Sequence, residues 1–289
     1  MNKVAKALIW LLITVTGAHA LSYAAVQLLP DPVVSVLGLQ SSSSEARAAL
    51  ADSRPVRSYR QIVCDLAHGD LGETRDGVPV QDELGSAIGA SLPRLAAAAV
   101  LIVGMAVGTA FLPRGALRPV AISASFVTFI PPFFAPYLLL WANVRLQEQY
   151  SQDPQSLAWW LCALSVAAPA GAFAASQAAL ITLRNLRLPF VLTIRAVGAS
   201  EARVRVRLLH HLLVESAPTF EKIAIGMVTA LLFAEATFSQ SGFGAMILRA
   251  IRRTDVDLII VATTLLAATT ALLRLFTMEL RASYGLVSR

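Results

Sequence analysis

Long apolar stretches alternate with short polar segments along this chain. A membrane span needs roughly 20 mostly apolar residues. Six stretches of that kind lie at about residues 7–29, 95–112, 119–142, 158–183, 217–238 and 256–275. The pattern predicts an all-α membrane protein with six transmembrane helices.

The first stretch has a second interpretation. Lys3 and Lys6 precede an apolar core, and residues 18–20 have the small-x-small form of a signal-peptide cleavage site, so residues 1–20 could be removed. The apolar run nevertheless continues to Pro30. That is too long for a signal core and long enough to span a membrane, so we favour a retained helix.

Composition agrees with a membrane protein. Of the 289 residues, 56% are hydrophobic and 15% are charged, whereas soluble domains have about 25% charged residues. The net charge of +6 does not indicate nucleic acid, because the basic residues fall between apolar runs. Cys64 and Cys162 are far apart and in different settings, so they indicate neither a zinc site nor a disulfide framework.

The distribution of lysine and arginine predicts the orientation. Residues 31–86 contain nine carboxylates, five arginines and no lysine, as expected of a translocated segment. Both termini, residues 113–118 and residues 184–216 are then cytoplasmic. This orientation places three arginines on the external side of the membrane: Arg249, Arg252 and Arg253. Either this stretch is a short amphipathic helix that dips toward the bilayer, or it meets an acidic partner, or the last two spans are misplaced; we favour the first two interpretations.

Prolines interrupt the third and fourth stretches. Each proline removes a backbone hydrogen bond and is expected to kink its helix. The positions are Pro131, Pro132, Pro136 and Pro169, the last with Gly171 close by. No stretch has an ionisable side chain near its centre, apart from His19, and Glu235 lies near enough to an end to reach the interface. This favours a transport path whose energy is supplied from elsewhere.

The cytoplasmic segment 184–216 is far longer than a turn between two helices requires. Gly198 breaks it, and Ser200 is placed to cap a new helix that includes Arg203. The pattern predicts two short helices joined at the glycine, and the second helix runs into the fifth span.

These residues carry a resemblance. Two predicted helices flank residues 196–198, and His210 lies eight residues before Pro218. This arrangement resembles the cytoplasmic coupling loop of ABC-importer permeases in the dipeptide/oligopeptide/nickel family. Three further stretches agree in order and spacing: QLLPDP at 27–32, GDLG at 69–72 and EATFSQSGFGAMILRAIRRTD at 235–255.

The resemblance implies the type I ABC importer permease fold with cytoplasmic termini. It implies a first transmembrane helix over residues 1–30, an external segment over 31–94 and a five-helix core over 95–289 that contains the coupling loop. Two permease subunits form the pore in the bacterial inner membrane, and an external solute-binding protein delivers substrate. The second permease is a related chain, as is usual in the family, or a second copy of this one. Two cytoplasmic ATPase subunits bind ATP and magnesium, so this chain is expected to have no cofactor, metal or catalytic residue.

The resemblance also assigns roles to residues. Contact with the ATPase is expected at Arg195, Ala196, Gly198, Ser200, Glu201 and Arg203, and contact with the binding protein at Arg249, Arg252 and Arg253. The pore walls offer mildly polar side chains: Ser123, Ser125, Thr128, Ser176 and Gln177. These suit a small peptide or a nickel-type metal chelate, whereas a bare divalent cation requires carboxylate or imidazole ligands.

Two other functions stay open. A membrane-embedded enzyme needs paired carboxylates, a metal set or an activated serine, and His19 is the nearest candidate within a span. His210 and His211 are adjacent, so on a helix they point about 100° apart and do not chelate one ion together. A self-contained channel leaves the long cytoplasmic loop without a role. The sequence has no G-x-x-x-x-G-K-[ST] phosphate-binding loop.

Overall fold

The structure is a computed structural model that describes residues 3–27, 59–150 and 154–283. These residues form ten helices and no strand, apart from an isolated antiparallel bridge between Glu73 and Pro79. The helices are α1 (Lys3–Gln27), α2 (Tyr59–Ala67), α3 (Val80–Ala110), α4 (Arg114–Thr128), α5 (Phe134–Tyr150), α6 (Pro154–Asn185), α7 (Pro189–Ala196), α8 (Glu201–Thr237), α9 (Phe243–Arg253) and α10 (Val256–Ser283). The all-α prediction is confirmed for this part of the chain. Most of the QLLPDP stretch lies outside the described residues.

Four of the described helices are long and apolar enough to cross a membrane. Their spans are Leu8–Ala25 in α1, Val80–Ala110 in α3, Leu157–Asn185 in α6 and Val256–Glu279 in α10. They match the first, second, fourth and sixth predicted stretches, although α3 begins well before residue 95. The chain is therefore a multi-pass membrane protein.

The third predicted stretch is not one continuous helix. α4 ends at Thr128 and α5 begins at Phe134, and neither meets the length and hydropathy of a span. Pro131 and Pro132 lie in the break, where proline lacks the N–H that a helix interior needs. Pro136 lies in the first turn of α5, where backbone N–H groups have no partner within the helix.

The fifth predicted stretch is the second part of α8. α8 bends by 70° between the segments Glu201–Ala217 and Thr219–Thr237, and Pro218 lies at the bend. Proline has no backbone N–H to donate to the preceding turn, which accounts for the bend. As predicted, the loop's second helix continues into this stretch. The described helices thus supply four spans, or five if the bent pair is one span, rather than six.

The chain divides into two compact units. The first comprises Met1–Gly89 and Ser241–Leu272. Within it, α1 and α10 are joined by polar side chains: His19 Nδ1 lies 3.0 Å from the Thr264 hydroxyl, and the Thr263 hydroxyl donates to Ser22 Oγ at 2.7 Å. These contacts satisfy polar groups that apolar surroundings would otherwise leave unpaired.

The second unit comprises Ala90–Gln240 and Leu273–Arg289. α6 lies at its centre, because α4, α5 and α8 each pack against α6. One apolar cluster joins α3, α6 and α8, and its buried members are mostly small, which permits close helix packing. They include Ala98, Cys162, Val166, Ala167, Ala170, Ala174, Ala230 and Ala234.

Candidate functional site

The segment between α6 and α8 contains a sharp, well-defined turn. Gly198 has φ +82°, a left-handed conformation that glycine adopts without strain. The N–H of Gly198 donates to Arg195 O at 2.9 Å, and the N–H of Ala199 donates to Ile194 O at 3.2 Å. This pair of bonds is the Schellman motif, which closes the end of α7.

The next helix begins directly after this turn. Ser200 has extended backbone, and its hydroxyl accepts a hydrogen bond from the N–H of Arg203 at 3.4 Å, which caps α8. Glu201 lies in the first turn, and its carboxylate lies 2.8 Å from Arg195 Nη2. The prediction of two helices joined at a glycine, with Ser200 as the cap, is confirmed.

The turn presents an exposed surface. The residues assigned to ATPase contact are all at this tip, and all except the partly buried Arg195 are exposed. Val197, the residue before the glycine, is 83% exposed, and Leu192 on α7 is also largely exposed. An exposed apolar tip flanked by charges has the chemistry of a contact surface for another protein.

The base of the same segment is firmly packed. Val191 of α7 and Val204 of α8 are buried against Leu117 of α4 and Leu186 at the end of α6. Arg205 is also buried, and its Nη1 donates to the carbonyl of Ala110, the last residue of α3, at 3.0 Å. The exposed tip is therefore held on a buried, packed base within the second unit.

His211 of this segment packs against an aromatic ring. The rings of His211 and Phe190 are stacked with centroids 5.0 Å apart, and His210 is exposed. Arg184 pairs with Glu215 close to them. Among the described residues there is no group of three His, Cys, Asp or Glu side chains that could hold a metal ion.

The three arginines predicted to be external lie on α9, which is an amphipathic helix, one of the alternatives expected for this stretch. Phe243, Met246 and Ala250 are buried on one face. On the other face, Arg249 pairs with Glu83 at 3.2 Å, and Arg253 pairs with Asp76. Arg252 is exposed and has no carboxylate partner among the described residues. The structure thus pairs two of the three arginines with carboxylates of the stretch predicted to be external.

The polar side chains proposed for the pore lie on α4 and α6. Ser123, Ser125 and Thr128 each donate to a carbonyl one turn earlier in α4. Ser176 is buried and donates to Phe173 O at 2.8 Å, whereas Gln177 is half-buried. Each hydroxyl is already satisfied by its own helix, so these groups offer only a weakly polar surface.

The second unit contains a buried ion pair that the sequence did not predict. Arg94 Nη1 lies 2.6 Å from Glu235 Oε1, and the two side chains are 4% and 0% exposed. The Ser91 hydroxyl donates to the same carboxylate oxygen at 2.7 Å. The prediction that Glu235 reaches the membrane interface is wrong, because its charge is satisfied inside the helical core.

A sequence signal for this pair was present. Starting the second span at residue 95 left Arg94 outside it, whereas α3 begins at Val80. Asp82 and Glu83 mark the first turn of that helix, where carboxylates are favourable. Ser91 lies three residues before Arg94, so the two side chains share a helix face.

The chain is similar to proteins named oligopeptide transport system permease protein OppB. The relatives from two strains of Mycobacterium tuberculosis and from Mycobacterium bovis are each 26% identical to it over 238 residues, which is 71% of this chain and 72% of the relative. No family model matches the chain. Together with the four apolar spans, this homology supports a transport protein of the permease type rather than a catalytic enzyme.

Proposed function

We propose that this chain is a permease subunit of an ATP-driven importer in the bacterial inner membrane. It forms half of a translocation pore, and a second, related permease subunit forms the other half. Two cytoplasmic ATPase subunits bind ATP and magnesium and hydrolyse the ATP, and an external solute-binding protein delivers substrate. The similarity to OppB and the apolar spans support this proposal.

The observation that carries the proposal is the turn at Gly198. A contact that transmits force between proteins needs an exposed tip and a base that does not yield. The Schellman motif fixes the angle between α7 and α8, while Val191 and Val204 anchor the two helices in the core. Movement of an ATPase bound at the tip is therefore passed to α8, which continues through the bend at Pro218 toward the membrane.

The proposed substrate is a small peptide. The similar permeases are named for oligopeptide transport, and the hydroxyls of α4 are satisfied by their own helix. Weakly polar walls let a peptide pass without holding it tightly. A nickel chelate, the other substrate suggested by the resemblance, has no separate support from the described residues.

Affinity purification of the tagged chain from mild detergent, followed by mass spectrometry, tests the proposal. We expect an ATPase and a second permease to be recovered with the chain. Reversal of two charges at the tip, Arg195→Glu with Arg203→Glu, should remove the ATPase and leave the second permease bound.

The matched control is Arg207→Glu. Arg207 is an exposed arginine of α8 beyond the tip, so its reversal should leave the ATPase bound. Recovery of the chain alone, in properly folded form, would contradict the importer assignment and favour a self-contained channel. Equal loss of ATPase in the tip variant and the control would contradict the placement of the contact.

A further inference from the structure

The first segment of α8 contains a buried arginine. Arg205 is 7% exposed, whereas Arg203 and Arg207, two positions to either side, are exposed. Its Nη1 donates to the carbonyl oxygen of Ala110 at 3.0 Å. Burying a charge is costly even when it is hydrogen-bonded, and an apolar side chain of similar length would fill the same space without that cost. The reason for an arginine therefore lies in the contact that it makes.

That contact is with the end of another helix. Ala110 is the last residue of α3. The last carbonyls of a helix have no partner within it, and cations are favourable there because the helix dipole is negative at this end. The carbonyls of Gly108 and Thr109 each accept a hydrogen bond from the residue three positions later, at 3.1 Å. Arg205 satisfies the next carbonyl, so it caps α3 from α8.

Apolar side chains extend the contact between these two helices. Leu209 and Leu212 of α8 lie in one cluster with Ala106 and Ala110 of α3. Positions 205, 209 and 212 are four and three residues apart, so they share one face of α8. This face of the helix is therefore packed against the end of α3.

The same segment of α8 also carries the tip. Val204 is buried in a cluster with Val191 of α7. Arg195 pairs with Glu201 at 2.8 Å, and Glu201 lies four residues before Arg205, on the same face of α8. A continuous set of contacts thus joins the exposed tip to the end of α3.

We infer that Arg205 is a positioning residue that holds the end of α3 to the tip, so that α3 and α8 move together when the ATPase moves. This inference rests on the proposed importer function. α3 is one of the apolar spans, and it also contains Arg94, which pairs with Glu235 in the last turn of α8. Through Arg205 the ATPase moves a second span in addition to α8.

Electron paramagnetic resonance of a spin-labelled complex tests the inference. The labels are attached through Phe111→Cys, directly after α3, and Val206→Cys on α8; both positions are exposed. Cys64→Ser removes the exposed native cysteine. The sample is the complex with the second permease and the ATPase in lipid bilayers. With Arg205 in place, we expect one separation between the labels, the same with and without ATP.

Two substitutions of Arg205 distinguish positioning from packing. Arg205→Met fills the space but does not donate, so ATP should shift or broaden the distribution of label separations. Without ATP the distribution should match that of the native arginine, because the leucine contacts remain. Arg205→Lys keeps a cationic donor and should restore the single separation. An Arg205→Met complex that ignores ATP, or that is already altered without ATP, would overturn the inference.

Arg207→Met is the matched control. It changes the same type of residue on the same helix, but Arg207 is exposed. The label separation should stay single with and without ATP. A response to ATP equal to that of Arg205→Met would show that the buried contact with Ala110 is not what holds α3.

The chain that retains Arg205 decides the question if Arg205→Met does not fold. A change of label separation on addition of ATP to its complex would show that α3 does not follow α8, and this result would overturn the inference. Failure of the ATPase to copurify with this chain is a different outcome. It contradicts the importer function itself and is seen before any separation is measured.

Discussion

Arg94 and Glu235 form an ion pair inside the helical core of the second unit, with 2.6 Å between Nη1 and Oε1. The pair joins α3 to α8 beside Cys162 and Ala234 of the apolar cluster. Removing two charges from water is costly, so such a pair is not by itself evidence of high stability. Each charge is nevertheless acceptable only while the other is present, which makes the contact specific.

Removing one member of this pair should destabilise the protein far more than removing both. Glu235→Leu leaves Arg94 buried and unpaired, and we expect a loss of about 3–5 kcal/mol in the free energy of unfolding. Arg94→Met combined with Glu235→Leu should recover most of that loss. Thermal unfolding of the four proteins in a double-mutant cycle measures the coupling. Additive losses would show that the two side chains do not interact.

The helices and the turn between α7 and α8 were predictable because their signals are local. Gly198 supplies the left-handed residue, and Ser200 supplies the cap, within three positions of each other. Apolar length alone identified α6 and α10. Such features depend on the nearest neighbours in sequence and require no knowledge of packing.

The sequence predictions were wrong where the structure depends on contacts or combined effects that no single residue signals. Arg94 and Glu235 are tolerated in apolar helices only because α3 and α8 bring them together. The division of the third stretch reflects two adjacent prolines, Pro131 and Pro132, whose joint effect is a break rather than a kink.

Gly198→Val should separate ATP hydrolysis from transport. A β-branched residue at φ +82° is strained, by about 1–3 kcal/mol, so the turn between α7 and α8 should change its angle. Membrane insertion should persist, because the valine meets open space. Transport and ATPase activity of the reconstituted complex measure the effect.

Gly198→Asn is the matched variant for this prediction. Asparagine adopts left-handed backbone more readily than valine does, so it should retain much of the coupling. If both variants transport as well as the native chain, the angle of this turn does not matter for coupling.

Charge reversal at the tip should weaken ATPase association in a salt-dependent way. Arg195 already pairs with Glu201, and exposed pairs of this kind are worth about 0–1 kcal/mol. Arg203→Glu removes no such pair. Any loss of ATPase association in this variant should therefore come from the contact with the ATPase itself. Association measured at low and high salt should differ more for the native chain than for Arg203→Glu. Equal salt dependence would contradict an electrostatic contact.

Arg252 should contribute more than Arg249 or Arg253 to recognition of an external binding protein. The latter two arginines pair with Glu83 and Asp76, whereas Arg252 has no carboxylate partner among the described residues. Arg252→Glu should reduce stimulation of transport by the binding protein and leave thermal stability unchanged. Arg249→Gln should lower stability instead, by less than about 1 kcal/mol. If Arg252→Glu lowered stability and Arg249→Gln reduced stimulation by the binding protein, the contact with that protein would not be at Arg252.

Gly171 provides a test of the close packing between α3 and α6. A Cβ atom at this position would lie 2.5 Å from Met105 Sδ, whereas a Cβ at Gly226 meets nothing within 4 Å. Alanine in place of a helical glycine should stabilise by about 0.5–1 kcal/mol where space allows, as at Gly226. Gly171→Ala should fall short of that gain by less than about 1 kcal/mol, because the methyl group displaces only the flexible end of the exposed Met105 side chain. In a Met105→Ala background the two alanine substitutions should have equal effects on thermal unfolding, since the atom that blocks the methyl group is gone. A deficit at Gly171 that persists in that background would mean that something other than Met105 limits the packing.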